Sequence, residues 1–215
     1  QQELADWKKF GVEGQVKGKN AWLYYHHFLN EAAAKIVGAK PIEVVVMNSL
    51  TVNLHLMMVT FYRPTTKRYK ILVEGGAFPS DQYAVETQSR FHGFNPDEAV
   101  VEMLPRANEK TLRTEDIVAK IEELGEELAL VMFGGVNYYT GQAFDLKTIT
   151  EAGHKVGAKV GFDLAHAAGN ILLNLHDDDV DFAVWCSYKY LNSGPGGTSG
   201  VFKYRWASPP LAVVI

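Results

Sequence analysis

A lysine between two tyrosines is the first residue of this chain that could do chemistry. Lys189 follows a short apolar run and lies between Tyr188 and Tyr190. An amine held among aromatic rings is less hydrated than one on an open surface, so it can act as a nucleophile. The pattern therefore predicts covalent chemistry with an electrophile such as a carbonyl group.

An acid and an imidazole follow another apolar run. Asp163 comes directly after Gly161-Phe162, and His166 lies three residues later. A carboxylate at the end of a buried strand is costly unless a cation pairs with it, and a protonated pyridine nitrogen is one such cation. An internal ion pair or a helix cap would serve Asp163 equally well, and a lone histidine is more often structural. Two polar groups at one strand end favour a functional site.

A third strand candidate is followed by small polar residues. Asn48 and Ser49 precede Leu50 and Thr51, where a helix is predicted to begin. The first turn of a helix presents free backbone N–H groups and the positive end of the helix dipole, which suit a phosphate. An ordinary N-cap is the alternative interpretation.

The fourth candidate loop joins an aromatic residue to an acid. Phe78 could stack on a flat ring, and Asp81, three residues later, could accept a hydrogen bond. A simple turn in which Ser80 caps the next helix is the alternative.

Strands and helices alternate between these loops, and they must bring the loops together. Strands are predicted at 43–47, 69–73, 100–104, 128–133, 159–162 and 180–185. Helices are predicted at 50–61, 80–91, 114–124 and 146–156, with Ser80 and Thr114 as N-caps. Short, almost wholly apolar strands that alternate with helices predict an α/β fold with a mostly parallel central sheet. Ligands of such sheets bind beyond the carboxyl ends of the strands, where all four loops lie.

The composition excludes several other classes of protein. Of 215 residues, 47% are hydrophobic and 21% are charged, which is ordinary for a folded domain. A net charge of −4 gives no reason to expect a nucleic-acid partner. Cys186 is the single cysteine, so no internal disulfide can form, and we expect a cytoplasmic protein. No apolar run reaches the ~20 residues of a membrane helix, and no spacing predicts a metal site.

Taken together, five segments resemble the kynureninases, which are pyridoxal-5′-phosphate (PLP) enzymes of fold type I. They occur in the order and near the spacing of that family, and the resemblance extends from about Gln2 to about Phe202. The segments are residues 48–56, 78–81, 138–142, 161–167 and 185–192.

The resemblance implies a large three-layer α/β domain and roles for three residues. Lys189 would hold PLP as a Schiff base. Asp163 would pair with the pyridinium nitrogen and keep the ring an electron sink. Phe78 would stack on the ring.

It implies five further cofactor contacts. Leu50 and Thr51 would hold the phosphate, with help from Tyr188. Asp81 and His166 would complete the hydrogen bonds around the cofactor.

The family's reaction is hydrolysis of L-kynurenine, or its 3-hydroxy form, to anthranilate, or 3-hydroxyanthranilate, and L-alanine by Cβ–Cγ cleavage. It belongs to tryptophan catabolism and NAD biosynthesis. Fold-type I enzymes build shared active sites in a homodimer, so a homodimer is implied here.

The chain departs from the family in three ways. Gln15 stands where the family has a histidine beside the substrate ring, and Gly134 stands where some members have a hydroxyl residue. We also expect the family's small C-terminal domain to be missing. We therefore expect a helical, aromatic-rich segment at 1–41, the PLP-binding domain at 42–202 and an atypical tail at 203–215.

Two alternatives stay open. The chain could be another class-V PLP enzyme, such as a cysteine desulfurase or an aminotransferase. It could also be a truncated PLP-binding domain without activity.

Overall fold

The computed structural model describes residues 1–204, which are built around one mixed sheet. Its strands are β1 (Val44–Val46), β2 (Lys70–Glu74), β3 (Val100–Met103), β4 (Leu128–Gly134), β5 (Lys159–Asp163), β6 (Phe182–Trp185) and β7 (Gly200–Lys203). The strand order is β1-β7-β6-β5-β4-β2-β3. Only β7 runs against its neighbours, while β2 to β6 pair in parallel. The predicted α/β fold with a mostly parallel sheet is confirmed.

Helices cover both faces of this sheet. They are α1 (Gln2–Phe10), α2 (Asn30–Val37), α3 (Leu50–Phe61), α4 (Pro79–Phe91), α5 (Pro96–Ala99), α6 (Thr114–Leu124) and α7 (Leu146–Lys155). Successive strand residues point to opposite faces. Leu72 accordingly belongs to the core shared with α2, α6 and α7, whereas Ile71 belongs to the core shared with α3 and α4. The result is a three-layer domain whose strands are buried on both sides.

Two of the predicted helix caps are wrong. Helix α4 begins at Pro79 with Phe78 at the N-cap position, so Ser80 lies inside the helix. Proline suits the first helical position because its fixed φ is helical and its missing N–H would be unpaired there. Helix α6 has Arg113 at the N-cap position and already contains Thr114. Helix α3 spans the predicted residues, and the ends of the other predicted helices and strands lie within two residues of the observed ones.

Strand β7 was not predicted, because only Val201 and Phe202 give it a strand pattern after a glycine-rich run. It matters for the loop at the end of β1. Ser199, just before β7, accepts a hydrogen bond from the Met47 N–H (2.8 Å) and donates its own N–H to the Asn48 carbonyl (2.9 Å). These bonds fix the turn that leads into α3.

The N-terminal segment joins the domain through α2. Ala34 and Val37 are buried in the core, whereas large aromatic residues before α2, such as Trp7 and Phe28, stay exposed. Of the predicted tail at 203–215, Lys203 ends β7, and residues 205–215 lie outside the described part of the chain. Within residues 1–204, no helix is long and apolar enough to cross a bilayer.

An ion cluster at the amino ends of β5 and β6 predicts a pH-dependent stability. The buried Asp181 carboxylate accepts from His154 Nε2 (2.9 Å) and Lys159 Nζ (2.8 Å). The hydrogen bond to Asp181 raises the pKa of His154, against the opposing effect of burial. The ion pair therefore stabilises the fold fully below the unfolded pKa of histidine, and its contribution is lost as pH rises through the higher folded pKa.

We expect His154→Gln to lower the free energy of unfolding by up to about 1 kcal/mol at pH 6 and by less at pH 8.5. Urea denaturation of both proteins at the two pH values would measure this. A difference that stays constant or grows with pH would contradict the assignment.

Candidate functional site

All eight predicted site residues lie in one cavity of about 500 Å³ at the carboxyl edge of the sheet. They come from four separate parts of the chain: the start of α3, the start of α4, the end of β5 with the residues that follow it, and the segment after β6. They are Leu50, Thr51, Phe78, Asp81, Asp163, His166, Tyr188 and Lys189. The topology of a parallel sheet thus brings together side chains that are up to 139 positions apart in the sequence.

The amine of Lys189 lies inside this cavity. Its Nζ is 3.0 Å from His166 Nε2 and 5.5 Å from the centroid of the Phe78 ring. Burial, followed by the positive charge of Lys189, lowers the pKa of His166. The imidazole is therefore neutral near pH 7, and its Nε2 accepts a hydrogen bond from the lysine. The pair holds the amine above the face of an aromatic ring.

Two carboxyl groups share a proton on the other side of the cavity. Asp163, at the end of β5, is buried, and its Oδ1 accepts a hydrogen bond from the Ala165 N–H (2.7 Å). Burial raises the pKa of Asp163, whereas its hydrogen bond with Asp81 lowers it. Burial and the charge of Asp163 raise the pKa of Asp81 to about 9. Asp81 therefore keeps its proton and donates it in a hydrogen bond to Asp163.

The start of α3 forms the third wall. Asn48 adopts a left-handed conformation (φ 50°), which turns the chain sharply from β1 towards the helix. Ser49 is at the N-cap position, yet no side chain within residues 1–204 caps the first turn. The backbone N–H groups at Leu50 and Thr51 can therefore bind an anion.

Tyr188 lines the same cavity as this helix start. Its phenol group is half-exposed, and burial, followed by the neighbouring Cys186, raises its pKa. Tyr188 therefore stays a neutral hydrogen-bond donor throughout the physiological range.

Seven residues that line the cavity were not predicted as site residues: Ser49, Glu74, Ser80, Gly134, Val136, Tyr138 and Ala165. Tyr138 meets the Phe78 ring edge-on, with centroids 5.2 Å apart. Glu74 carries the same signal that singled out Asp163, since it is an acid at the carboxyl end of a buried strand. Glu74 could therefore have been predicted as a site residue from the sequence.

The two residues at which the chain departs from the family pattern, Gln15 and Gly134, differ in their position relative to the cavity. Gln15 ends a short 3₁₀ helix, is exposed and does not line the cavity. Gly134 lines it, and a Cβ atom on this residue would lie 2.9 Å from Glu74 Oε1. A hydroxyl residue at 134 would therefore have to displace the Glu74 carboxyl group.

A larger groove of about 910 Å³ lies on the other side of the Lys189 loop. Its walls are mostly apolar, from residues such as Trp22, Phe28 and Trp185, and no lysine, aspartate or glutamate lines it. The chemistry-bearing side chains therefore lie in the smaller cavity. Among residues 1–204, no group of three or more His, Cys, Asp or Glu side chains could hold a metal ion.

Comparison with known proteins gives the family of this sequence. The model of the family "Aminotransferase class-V" matches residues 17–206. Among curated proteins, the kynureninase of Myxococcus xanthus (strain DK1622) is 66% identical over 95% of this chain and 48% of its own length. That of Nematostella vectensis is 59% identical over 94% of this chain and 43% of its own length. The predicted resemblance is confirmed, and the chain spans about half the length of these relatives.

Solved structures with the same fold are more distant in sequence. A C-DES mutant with glycine covalently linked to its PLP cofactor has a TM-score of 0.73 and 17% identity, over 94% of this chain and 52% of its own. An apo cysteine desulfurase from Thermococcus onnurineus NA1 has a TM-score of 0.71 and 18% identity, over 94% and 50% of the two chains. At these identities the likeness supports the fold alone.

Proposed function

Because this chain belongs to the class-V aminotransferase family, we propose that it carries the PLP site of a kynureninase, which hydrolyses L-kynurenine to anthranilate and L-alanine. The observation that carries the proposal is the convergence of the eight predicted residues in one cavity. The identity of 53–66% to curated kynureninases narrows the choice within the family.

The side chains of the cavity fit PLP on chemical grounds. The cofactor has an aldehyde, a basic ring nitrogen, a flat aromatic ring and a phosphate. The cavity offers an amine at Lys189, a buried carboxyl pair, an aromatic face at Phe78 and the uncapped start of α3. When bound, PLP supplies an electron sink that accepts the electron pair of a breaking carbon bond.

Lys189 would be the covalent anchor and, once released by a substrate amine, a proton carrier. His166 accepts a hydrogen bond from Lys189 Nζ at 3.0 Å and so orients the amine. A neutral imidazole is suited to this task, because it leaves the amine without a competing cation. The Phe78 ring lies below the Lys189 amine and would form the surface on which the cofactor ring stacks.

Asp163 would bind the ring nitrogen and hold a proton on it. An ionised carboxylate that is nearly fully buried needs a cationic partner, and no ion pair to Asp163 exists within residues 1–204. Asp81 supports this role, because its proton is donated to Asp163 and keeps that carboxylate in place.

The phosphate would bind at the start of α3. Leu50 and Thr51 would offer backbone N–H groups, Thr51 would add its hydroxyl, and Tyr188 would donate from the opposite wall. The apolar side chain of Leu50 is buried, so its contribution to the site is through its backbone.

We also propose the wider setting of this activity. The substrate places it in tryptophan catabolism and NAD biosynthesis, with 3-hydroxykynurenine as a second substrate. We propose a homodimer with shared active sites, supported by the likeness to kynureninases. We also propose a cytoplasmic location, supported by the single cysteine, which is buried and free. The net charge of −4 gives no support to a nucleic-acid partner.

Fluorescence tests the reaction directly. The purified chain with PLP is expected to convert L-kynurenine to anthranilate, which fluoresces, together with an equal amount of L-alanine. Cysteine serves as the competing substrate. Release of sulfide from cysteine without anthranilate from kynurenine would assign the site to a desulfurase. Binding of PLP without either product would leave a non-catalytic cofactor-binding domain.

A further inference from the structure

Glu74 is a third carboxyl group of the site, and nothing in the proposed reaction uses it. It ends β2, is 4% exposed, and lines both the cofactor cavity and a neighbouring cavity of about 530 Å³. Its Oε2 is buried without a hydrogen-bond partner within residues 1–204. Burying an ionised carboxylate with an unpaired oxygen costs free energy of folding, so a buried glutamate at this position needs an explanation.

The backbone places Glu74 close to the carboxyl pair. Strand β4 separates β2 from β5, and at its end Gly134 is paired with Asp163. Because Gly134 has no side chain, the Glu74 carboxyl group occupies that space, with Oε1 2.9 Å from the position of a Cβ. Glu74, Gly134 and Asp163 therefore all reach the carboxyl edge of the sheet, where they line the same cavity.

We propose that Glu74 is a positioning residue for the ring-binding carboxyl pair: it holds a proton while the site is empty and releases it when Asp163 pairs with a cationic ring nitrogen. Glu74 would thus adjust the charge around Asp163 without touching the ring nitrogen. This inference rests on the proposed PLP site.

The charges around Glu74 support this proposal. Burial, with a smaller contribution from the charge of Asp163, raises the pKa of Glu74 to about 7, against the hydrogen bonds from Asn137 and the Gly134 backbone. Glu74 in turn raises the pKa of Asp81. Lys110 lines the neighbouring cavity but is exposed, and it does not contribute to the Glu74 shift.

A cation at Asp163 would offset the negative charge of that carboxylate. Ionised Glu74 would then meet a weaker repulsion. The Glu74 carboxyl group should therefore lose its proton near neutral pH when the site is filled.

Carbon NMR of the full chain, labelled with ¹³C at the glutamate side-chain carboxyl groups, tests this without an activity assay. Glu74→Gln identifies the Glu74 resonance, and Glu74→Asp does so if the first variant does not fold. Glu43→Gln is the matched control, because Glu43 is also buried but lies away from the cavity, where it accepts from His176 Nδ1 (3.0 Å).

Without PLP, the Glu74 resonance is expected to titrate with a midpoint about 7. With saturating PLP, the midpoint should fall by at least about one pH unit, a tenfold change in proton affinity, while PLP leaves the Glu43 resonance in place. If PLP binds and the Glu74 midpoint does not fall, this inference is wrong and the proposed function stands. If PLP does not bind, the proposed function fails, and the inference fails with it.

Discussion

Lys189→Ala is expected to abolish covalent PLP binding and to reduce anthranilate formation to the level of a protein-free control. The reason is that Lys189 is the one amine lining the cavity that residues 1–204 form. Lys189→Arg should fail equally, because a guanidinium keeps the charge but does not give up a proton to become a nucleophile. Absorption spectra with PLP and the fluorescence assay would measure both effects.

Lys155→Ala is the control for this pair of variants. Lys155 lies on the surface, where it contacts Glu122, so its loss should change neither the spectrum nor the rate. Retention of a borohydride-reducible band in Lys189→Ala would show that another amine holds the cofactor.

Asp163→Asn is expected to lower kcat/KM for L-kynurenine at least about a hundredfold while covalent attachment at Lys189 survives. A hundredfold loss corresponds to about 2.7 kcal/mol of transition-state stabilisation, since about 1.4 kcal/mol is a factor of ten in rate. An amide cannot hold a proton on the ring nitrogen, so the electron sink is weakened. Steady-state kinetics beside a PLP titration would separate the rate from the affinity.

Asp181→Asn is the matched control. Asp181 is also a buried aspartate, but it lies just before β6, at the amino edge of the sheet and away from the cavity. This substitution should lower the stability of the fold and leave kcat/KM unchanged in the folded fraction. If Asp163→Asn retained the parent kcat/KM, Asp163 would be only a structural residue and the proposed ring contact would be wrong.

The site at the carboxyl edge of the sheet could be predicted because its chemistry depends on individual polar side chains. Asp163, His166 and Lys189 are polar groups that follow buried apolar runs, and the cost of burying them points to a ligand. The phosphate contact at Leu50 was predicted from the helix start that follows Asn48 and Ser49, whereas the contact of Tyr188 came only from the family resemblance. Almost any residue type can supply a backbone N–H group, and a tyrosine beside a strand is common in protein cores.

The errors have local physical causes. Ser80 was expected to cap α4, but Pro79 starts the helix one residue earlier because its φ is already helical. Strand β7 was missed because it has two apolar residues and is held by pairing with β1 and β6 rather than by its own pattern. Glu74 was missed although, like Asp163, it is an acid at the carboxyl end of a buried strand. What the sequence does not display is the lateral order of the strands, which brings both acids to one cavity.

The most direct test of the account is to locate the bound cofactor on the chain. The protein would be incubated with PLP, reduced with borohydride, digested and analysed by peptide mass spectrometry. We predict one modified peptide, with the pyridoxyl phosphate on Lys189, and none in the Lys189→Ala variant. Modification of a different lysine, or of none, would contradict the claim that this cavity is a PLP site.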